Sequence, residues 1–209
     1  MPFLTHYRAE DRTELSVRSF ANWVAKTANL LTDELGLDPG DRVELRVAID
    51  HPGHWMTLVW VMATWQAGLT VTDSDGDVVV AGPEPTGAPA GPALACSLHA
   101  LGLGLRGLPE GWSDFSTLAL AQPDAWFGSG PDSPDDPAWD VAGRTLSFAQ
   151  LTAEAPESRR ILLRDPGDAW TAAQACLIGP VLGGGSSVIA CDVSDTALAR
   201  IAESERVDA

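Results

Sequence analysis

Helical and extended patterns alternate along the first eighty residues, and this alternation narrows the possible folds more than any other feature. Phe20, Trp23/Val24, Ala28, Leu31 and Leu35 recur at three- and four-residue steps after Ser16. That spacing predicts a helix over residues 17–35 with a single apolar stripe. Gly36 suits the left-handed position that closes such a helix, and Pro39-Gly40-Asp41 the turn beyond it. Residues 43–49 then alternate apolar and polar, as a half-buried strand does. A second helix follows over 55–66, with Trp55, Leu58/Val59, Met62 and Trp65 on a common side. Ala67-Gly68 ends it and leads into a strand at 69–72, and 77–81 forms another. Helices alternating with short apolar strands argue for a parallel sheet with helices packed on it.

The rest of the chain continues the pattern with longer breaks. Prolines and glycines make 82–92 a loop, and 93–98 reads as a buried strand. Residues 102–111 are irregular, and 127–137 form an exposed, acidic, Pro-rich connection. Ser147 is placed as N-cap of a short helix reaching residue 154. A strand at 160–164, an apolar helix over 169–182 interrupted near Gly179-Pro180, a buried strand at 187–190 and a helix from 195 to 203 complete the chain. Ser194 or Asp195 caps that last helix. At 209 residues, a single domain over 1–209 is the default.

Charge excludes whole classes of partner. The net charge is −16, and Lys26 is the only lysine among thirteen basic residues. Such a field repels a phosphate backbone or an anionic membrane, so neither nucleic acid nor membrane is expected as partner. No apolar run reaches the roughly eighteen residues of a membrane span, and the N-terminus has no signal-peptide pattern. Cys96, Cys176 and Cys191 are far apart, odd in number and set in apolar surroundings. Buried thiols in a reducing compartment, the cytoplasm, are the expectation.

Each candidate for chemistry has a plainer reading beside it. Gly102-x-Gly104-x-x-Gly107 matches a dinucleotide fingerprint literally, but Leu108-Pro109-Glu110-Gly111 opens no helix to receive a pyrophosphate. Gly183-Gly184-Gly185 runs from a helix into a strand with no lysine after it, which suits a helix cap better than a phosphate cradle. His51 and His54, with Asp50 beside them, lack an evident third ligand for zinc. They are placed in a loop and at the first turn of the following helix. Asp73, Asp75 and Asp77 around Gly76 lack the late glutamate of a calcium loop, so a polar turn is expected. Trp23, Trp55 and Trp65 belong to helix faces. Trp112, Trp126, Trp139 and Trp170, in or near loops, either pin those loops or meet a partner.

Several stretches in order resemble the adenylate-forming enzymes, the superfamily of acyl-CoA synthetases, peptide-synthetase adenylation domains and luciferases. Gly36-Leu37-Asp38-Pro39-Gly40-Asp41-Arg42-Val43 is similar to the turn that closes that family's first helix. Ala67-Gly68 matches its Ala-Gly turn, with Asp73 near the usual proline. Pro180 to Ile189 resembles its Pro-Leu-x-x-Gly-x-x-x-Val-Leu segment, and Leu198, Ile201 and Val207-Asp208 the Leu-x-x-Ile-x-x-x-x-Val-Thr that follows. The resemblance covers about residues 10 to 209. It implies a three-layer α/β sandwich with a mostly parallel sheet, like the early part of the family's N-terminal domain, without the second half of that domain or the small mobile one.

One departure shapes the functional expectation. The family sets a Ser/Thr/Gly-rich phosphate loop ending in lysine between an Asp-Pro-Ala-like strand start and a Leu-Ser-like helix start. Here Asp136-Pro137-Ala138-Trp139 is followed almost at once by Leu146-Ser147-Phe148-Ala149-Gln150-Leu151. The resemblance therefore implies no adenylation of carboxylates and assigns no catalytic, cofactor-binding or metal residue, and no cofactor. The expected role is a non-catalytic relative that binds a ligand or partner protein or regulates, with a homodimer as the simplest partner. Two alternatives stand beside it: an enzyme of another kind using His51/His54 and the acidic loop, or a half-enzyme completed by a separate chain.

Overall fold

The computed structural model describes residues 1–208. The chain opens with a hairpin, β1 (Leu4–Arg8) and β2 (Asp11–Leu15), before helix α1 (Val17–Asn29). Ser16 caps α1 by accepting the Ser19 N–H, and a π-helical turn, Leu30–Glu34, extends it to Gly36, which takes φ +72°. Next come β3 (Arg42–Leu45), a single turn α2 (Arg46–Asp50), α3 (Trp55–Gln66), β4 (Thr70–Thr72), β5 (Val78–Ala81) and β6 (Ala93–Ala95). After a loop follow β7 (Ser113–Asp114), α4 (Phe115–Leu120), β8 (Pro137–Val141), β9 (Arg144–Ser147) and α5 (Phe148–Thr152). The chain ends with β10 (Arg160–Arg164), α6 (Ala169–Ala173), α7 (Gly179–Gly183), β11 (Ser186–Cys191) and α8 (Asp195–Ser204).

The strands make two sheets. Seven lie in the order β7-β6-β5-β3-β4-β8-β9, all parallel except the closing β8–β9 hairpin. Four lie in the order β10-β11-β1-β2, where β11 runs parallel to both β10 and β1. The expected class, a mostly parallel sheet flanked by helices, is present, and the second sheet adds to it. Strand periodicity shows how the sheets are covered. Ile189 faces the central core, while Val188 and Ala190 face α8 on the outer side. In the larger sheet Val78 and Val80 face the core, and Ala81 faces a small outer cluster with Trp112.

Helix α3 lies at the centre, against β1, β4, α1 and α6. All its residues are buried except Met62 and Gln66. The expectation that Trp55, Leu58/Val59, Met62 and Trp65 form one common side is therefore corrected: Met62 is not buried, and α3 is covered on nearly every other side, because a sheet lies on each flank. Residues 43–49 are also corrected. The strand stops at Leu45, where its pairing with β4 and β5 runs out, and α2 turns Val47 and Ala48 into the core. The interruption expected near Gly179-Pro180 takes the form of a π-helical turn, Gln174–Ile178, that accommodates a proline lacking its N–H. The β1–β2 hairpin, the β7–α4 unit and β9 carried no clear sequence signal; Leu146, expected to open the short helix 146–154, lies in β9, and the helix runs only from Phe148 to Thr152.

The ends of the chain are joined by a buried ionic knot. Arg160, 2% exposed, donates to Glu205, Thr5, Ser186 and the Pro2 carbonyl. Glu205 also accepts from the Tyr7 hydroxyl at 2.6 Å and from Arg12 at 2.8 Å. Burial alone would raise the Glu205 carboxyl, but these donors hold it down to about 2. Because the folded value lies below the unfolded one, the contribution is full above about pH 4.5 and is lost as pH falls towards 2. Glu205→Ala should strand the Arg160 charge and cost about 3 kcal/mol, read from denaturant melts at neutral pH. The double variant Arg160→Met/Glu205→Leu should recover much of that loss.

Candidate functional site

The carboxyl ends of parallel strands from both sheets open onto one cleft. β1 ends at Arg8, β10 at Arg164 and β11 at Cys191, while β3 ends at Leu45 and β5 at Ala81. The chain passes from β3 to β4 on one side and then to β5 on the other, so β3 and β5 flank the point where strand order reverses. Ligands of open α/β sheets bind outside the carboxyl ends at such a point.

Two chambers make up the cleft. The inner one, about 190 Å³, is lined by His6, Arg8, His51, His54, Asp165 and Cys191, among others. The outer one, about 320 Å³, lies between Arg46 and the loop after β5, around Glu84. Arg8, Asp50 and His51 border both. Close approach shapes the walls. A Cβ on Gly53 would sit 2.8 Å from the Cys191 sulfur and 2.7 Å from Pro166, and one on Gly82 would sit 3.2 Å from His51 Nε2.

His54 is structural as well as a wall residue. Its Nδ1 caps α3 by accepting the Met56 N–H at 3.1 Å, and its Nε2 lies 3.2 Å from the Leu98 carbonyl. The ring is therefore neutral, with its proton on Nε2. His6 packs edge-on against it, ring centres 4.8 Å apart, and is only 4% exposed. Burial, with Arg8 adding, lowers the His6 pKa to about 4; burial, with His6 adding, lowers that of His54 to about 3. Burial also lowers His51 and raises the Cys191 thiol to about 11.

At neutral pH burial leaves His6 and His54 uncharged and Cys191 a thiol, and these groups line the cleft beside Arg8 and the carboxylates.

The sequence placed His51 and His54 beside each other, and the structure adds His6, Arg8 and Cys191 from distant strands. No sequence signal marked those three. The other candidates resolve into structure. No helix opens at Gly107, and Gly102 approaches the Trp23 ring. Gly184, at φ +75°, caps α7. Asp73 and Asp77 accept the Ala142 and Arg42 N–H groups, tying the β4–β5 turn to its neighbours. Lys26 binds Asp124 at 2.8 Å and the Gln122 carbonyl. Trp112, Trp139 and Trp170 are buried, and Trp126 is half-buried against the core, so all four pin loops to the body.

β8 and β9 close as a tight hairpin. Its turn is Ala142-Gly143, with φ of +52° and +74°, the left-handed pair that a two-residue hairpin loop demands. Beside it Arg144 lies over the Trp170 ring at 5.1 Å, and Trp170 stacks edge-on against Trp139.

No protein-family model matches the chain. A Mycobacterium tuberculosis protein described as a TIGR03089 family protein is 35% identical over 136 residues, 59% of this chain and 54% of the relative. Among solved structures, an acyl-CoA synthetase from Brucella canis aligns with 99% of the chain at a TM-score of 0.72 and 16% identity. A fatty acyl CoA synthetase from Mycobacterium tuberculosis does so at 0.72 and 13%. The aligned part is 43% and 45% of those enzymes, so the chain spans about half the length of the proteins it matches. Its fold is similar to the N-terminal domain of acyl-CoA synthetases.

The buried imidazoles make a testable prediction about pH. A base whose folded pKa lies below 6.5 takes up protons on unfolding. Its contribution to stability is therefore full above pH 6.5 and falls as pH drops towards 4. Wild-type melting temperature should decline over that range, and His6→Gln should decline less. Proton NMR of the His6 and His54 rings should show no titration between pH 8 and 5; a midpoint near 6.5 for either would contradict the burial argument.

Proposed function

We propose that this chain is a non-catalytic relative of the AMP-dependent acyl-CoA synthetases, a ligand-binding or interaction protein. The carrying observation is the hairpin turn Ala142-Gly143. It occupies the interval where the resemblance sets a phosphate loop, and two residues cannot wrap a triphosphate. Phosphoryl and adenylyl chemistry depends on donors aimed at those phosphates and on a bound metal ion. The only lysine, Lys26, is held by Asp124 at 2.8 Å. The half-length relative supports the reading too, being itself about half as long as the solved synthetases. The cleft suits binding, since burial lowers His6, His51 and His54 and raises the Cys191 thiol, which keeps these groups uncharged acceptors and donors.

A second copy of the chain is the partner we propose. Two adjoining apolar grooves, about 350 and 160 Å³, share Met62 and Val181. They expose Val17 at 68% and Val181 at 49% beside Phe20 and Leu182. Two-fold pairing covers the same patch on both copies and is the commonest closed arrangement. No described helix is long and apolar enough to cross a membrane. The cysteines are free thiols, which suits the cytoplasm that this reading assigns.

ATP–pyrophosphate exchange over a panel of carboxylic acids should stay at background; exchange with any acid, from clean protein, would refute the reading. Sedimentation equilibrium at physiological salt should show a dimer that Val181→Glu dissociates. A 22 kDa species at every concentration would reject self-association.

A further inference from the structure

We propose that two copies of this chain pair about a two-fold axis by exchanging Phe127, the ring of each entering the apolar groove between α1, α3 and α7 of the other. This rests on the self-association proposed above and names the side chain that makes the contact. The first observation is Phe127 itself, which is 92% exposed, more than any other large hydrophobic residue among those described. Its loop is tied down on both sides. Trp126 packs against the core, and Asn29 Nδ2 donates to the Pro123 and Ala125 carbonyls at 3.1 Å each. Beyond the ring, the backbone at Gly130–Pro131 lies against Gly68, where an added Cβ would sit 2.7 Å from the Pro131 nitrogen. An anchored segment therefore holds a bare phenyl ring out to solvent. That is the form an interface anchor takes, because little ordering remains to be done on binding.

The second observation is the hole. The larger groove, about 350 Å³, is lined by Phe3, Phe20, Val24, Met62 and Val181, among others. An apolar cavity of about 150 Å³ is enough to take up benzene, so a phenyl ring fits. No residue lining this groove or the smaller one beside it is charged. The segment that carries the ring, Phe127-Gly128-Ser129-Gly130-Pro131, is uncharged as well, and Asp124 before it is paired with Lys26 at 2.8 Å. In a chain of net charge −16, such a face is where a second copy makes contact without setting carboxylate against carboxylate. A basic partner would be drawn instead to carboxylates elsewhere on the surface, so the charge pattern favours the second copy.

The third observation is that ring and groove share a face, which a two-fold contact requires because each copy must offer both. Gln66 lines the groove, and a Cβ on Gly130 would lie 3.8 Å from its carbonyl oxygen. Phe127 is three residues from Gly130, a span of at most about 11 Å. The ring therefore stands near the Gln66 end of the groove, and at 92% exposure it leaves that groove open in its own chain. Reciprocal exchange fills both grooves and covers both rings in one operation.

The test is sedimentation equilibrium of the full chain at physiological salt, for wild type, Phe127→Ser and Val181→Glu. Phe127→Ser is expected to weaken the dimer about tenfold or more. Its melting temperature at dilute, monomeric concentration should stay at the wild-type value, because the exposed ring buries almost nothing in its own chain. Raising salt should leave the dimer intact or tighten it, since screening weakens only the repulsion between the acidic copies. Phe127→Cys mixed with Met62→Cys under mild oxidation should give a disulfide-linked heterodimer, Met62 lying in both grooves. A dimer that Val181→Glu dissociates and Phe127→Ser leaves intact would refute this inference alone. A monomer at every concentration would refute the self-association with it, and uptake of a lipid or apolar dye by that monomer would assign the groove to another occupant. Dissociation by added salt, or no cross-link in the mixture, would also overturn the exchange of Phe127.

Discussion

A helix buried on nearly all sides cannot exist alone, and α3 imposes this condition on everything around it. Its twelve residues include three tryptophans, and only Met62 and Gln66 reach the surface. Each apolar face needs its own cover, so one sheet is not enough. The seven-stranded sheet takes one flank, through Val43, Val71 and Val80, and the four-stranded sheet the other, through Leu4 and Ile189. Polar edges of the buried rings are met where geometry permits: Trp60 donates to Cys96 and Trp65 to the Ala138 carbonyl. The Trp55 and Trp139 indole N–H groups stay unpartnered, a cost that the apolar area buried around them offsets.

The second sheet requires the chain's distant parts to meet. β1 pairs with β11 almost the whole sequence away, and that pairing is held from outside by α8 and the Arg160–Glu205 knot. The same closure creates the cleft. Bringing β1, β10 and β11 beside the ends of β3 and β5 sets His6 against His54 and carries Arg8, Asp165 and Cys191 to their rim. The cleft is thus a consequence of how the sheets face each other. Its chemistry comes from side chains that do nothing comparable in isolation. A lone histidine in water titrates near 6.5, and the same ring, buried and beside the Arg8 guanidinium, is held neutral down to acid pH.

Much of the fold was legible in the sequence because it is written in local patterns. The caps at Ser16, Ser147 and Ser194, the glycine closing α1, the full length of α3 and strand β10 all follow from periodicity and terminal chemistry. These signals depend on neighbours three or four residues apart, so one chain suffices to read them. The site was legible only in part. His51 and His54 stand together in sequence, and their place before α3 follows from the helix start they adjoin.

What the sequence by itself determined is the kind and order of most elements, the strongly acidic balance and the short interval between Trp139 and Leu146. Only the tertiary structure decided that there are two sheets, that the 43–49 pattern breaks at Leu45, and that His6 reaches His54. The reason is physical. Local pattern reports which face of an element is apolar, but an all-round apolar helix such as α3 has no single face to report. Strand pairing across nearly two hundred residues is settled by which arrangement buries every such surface at once, and no local spacing encodes that choice.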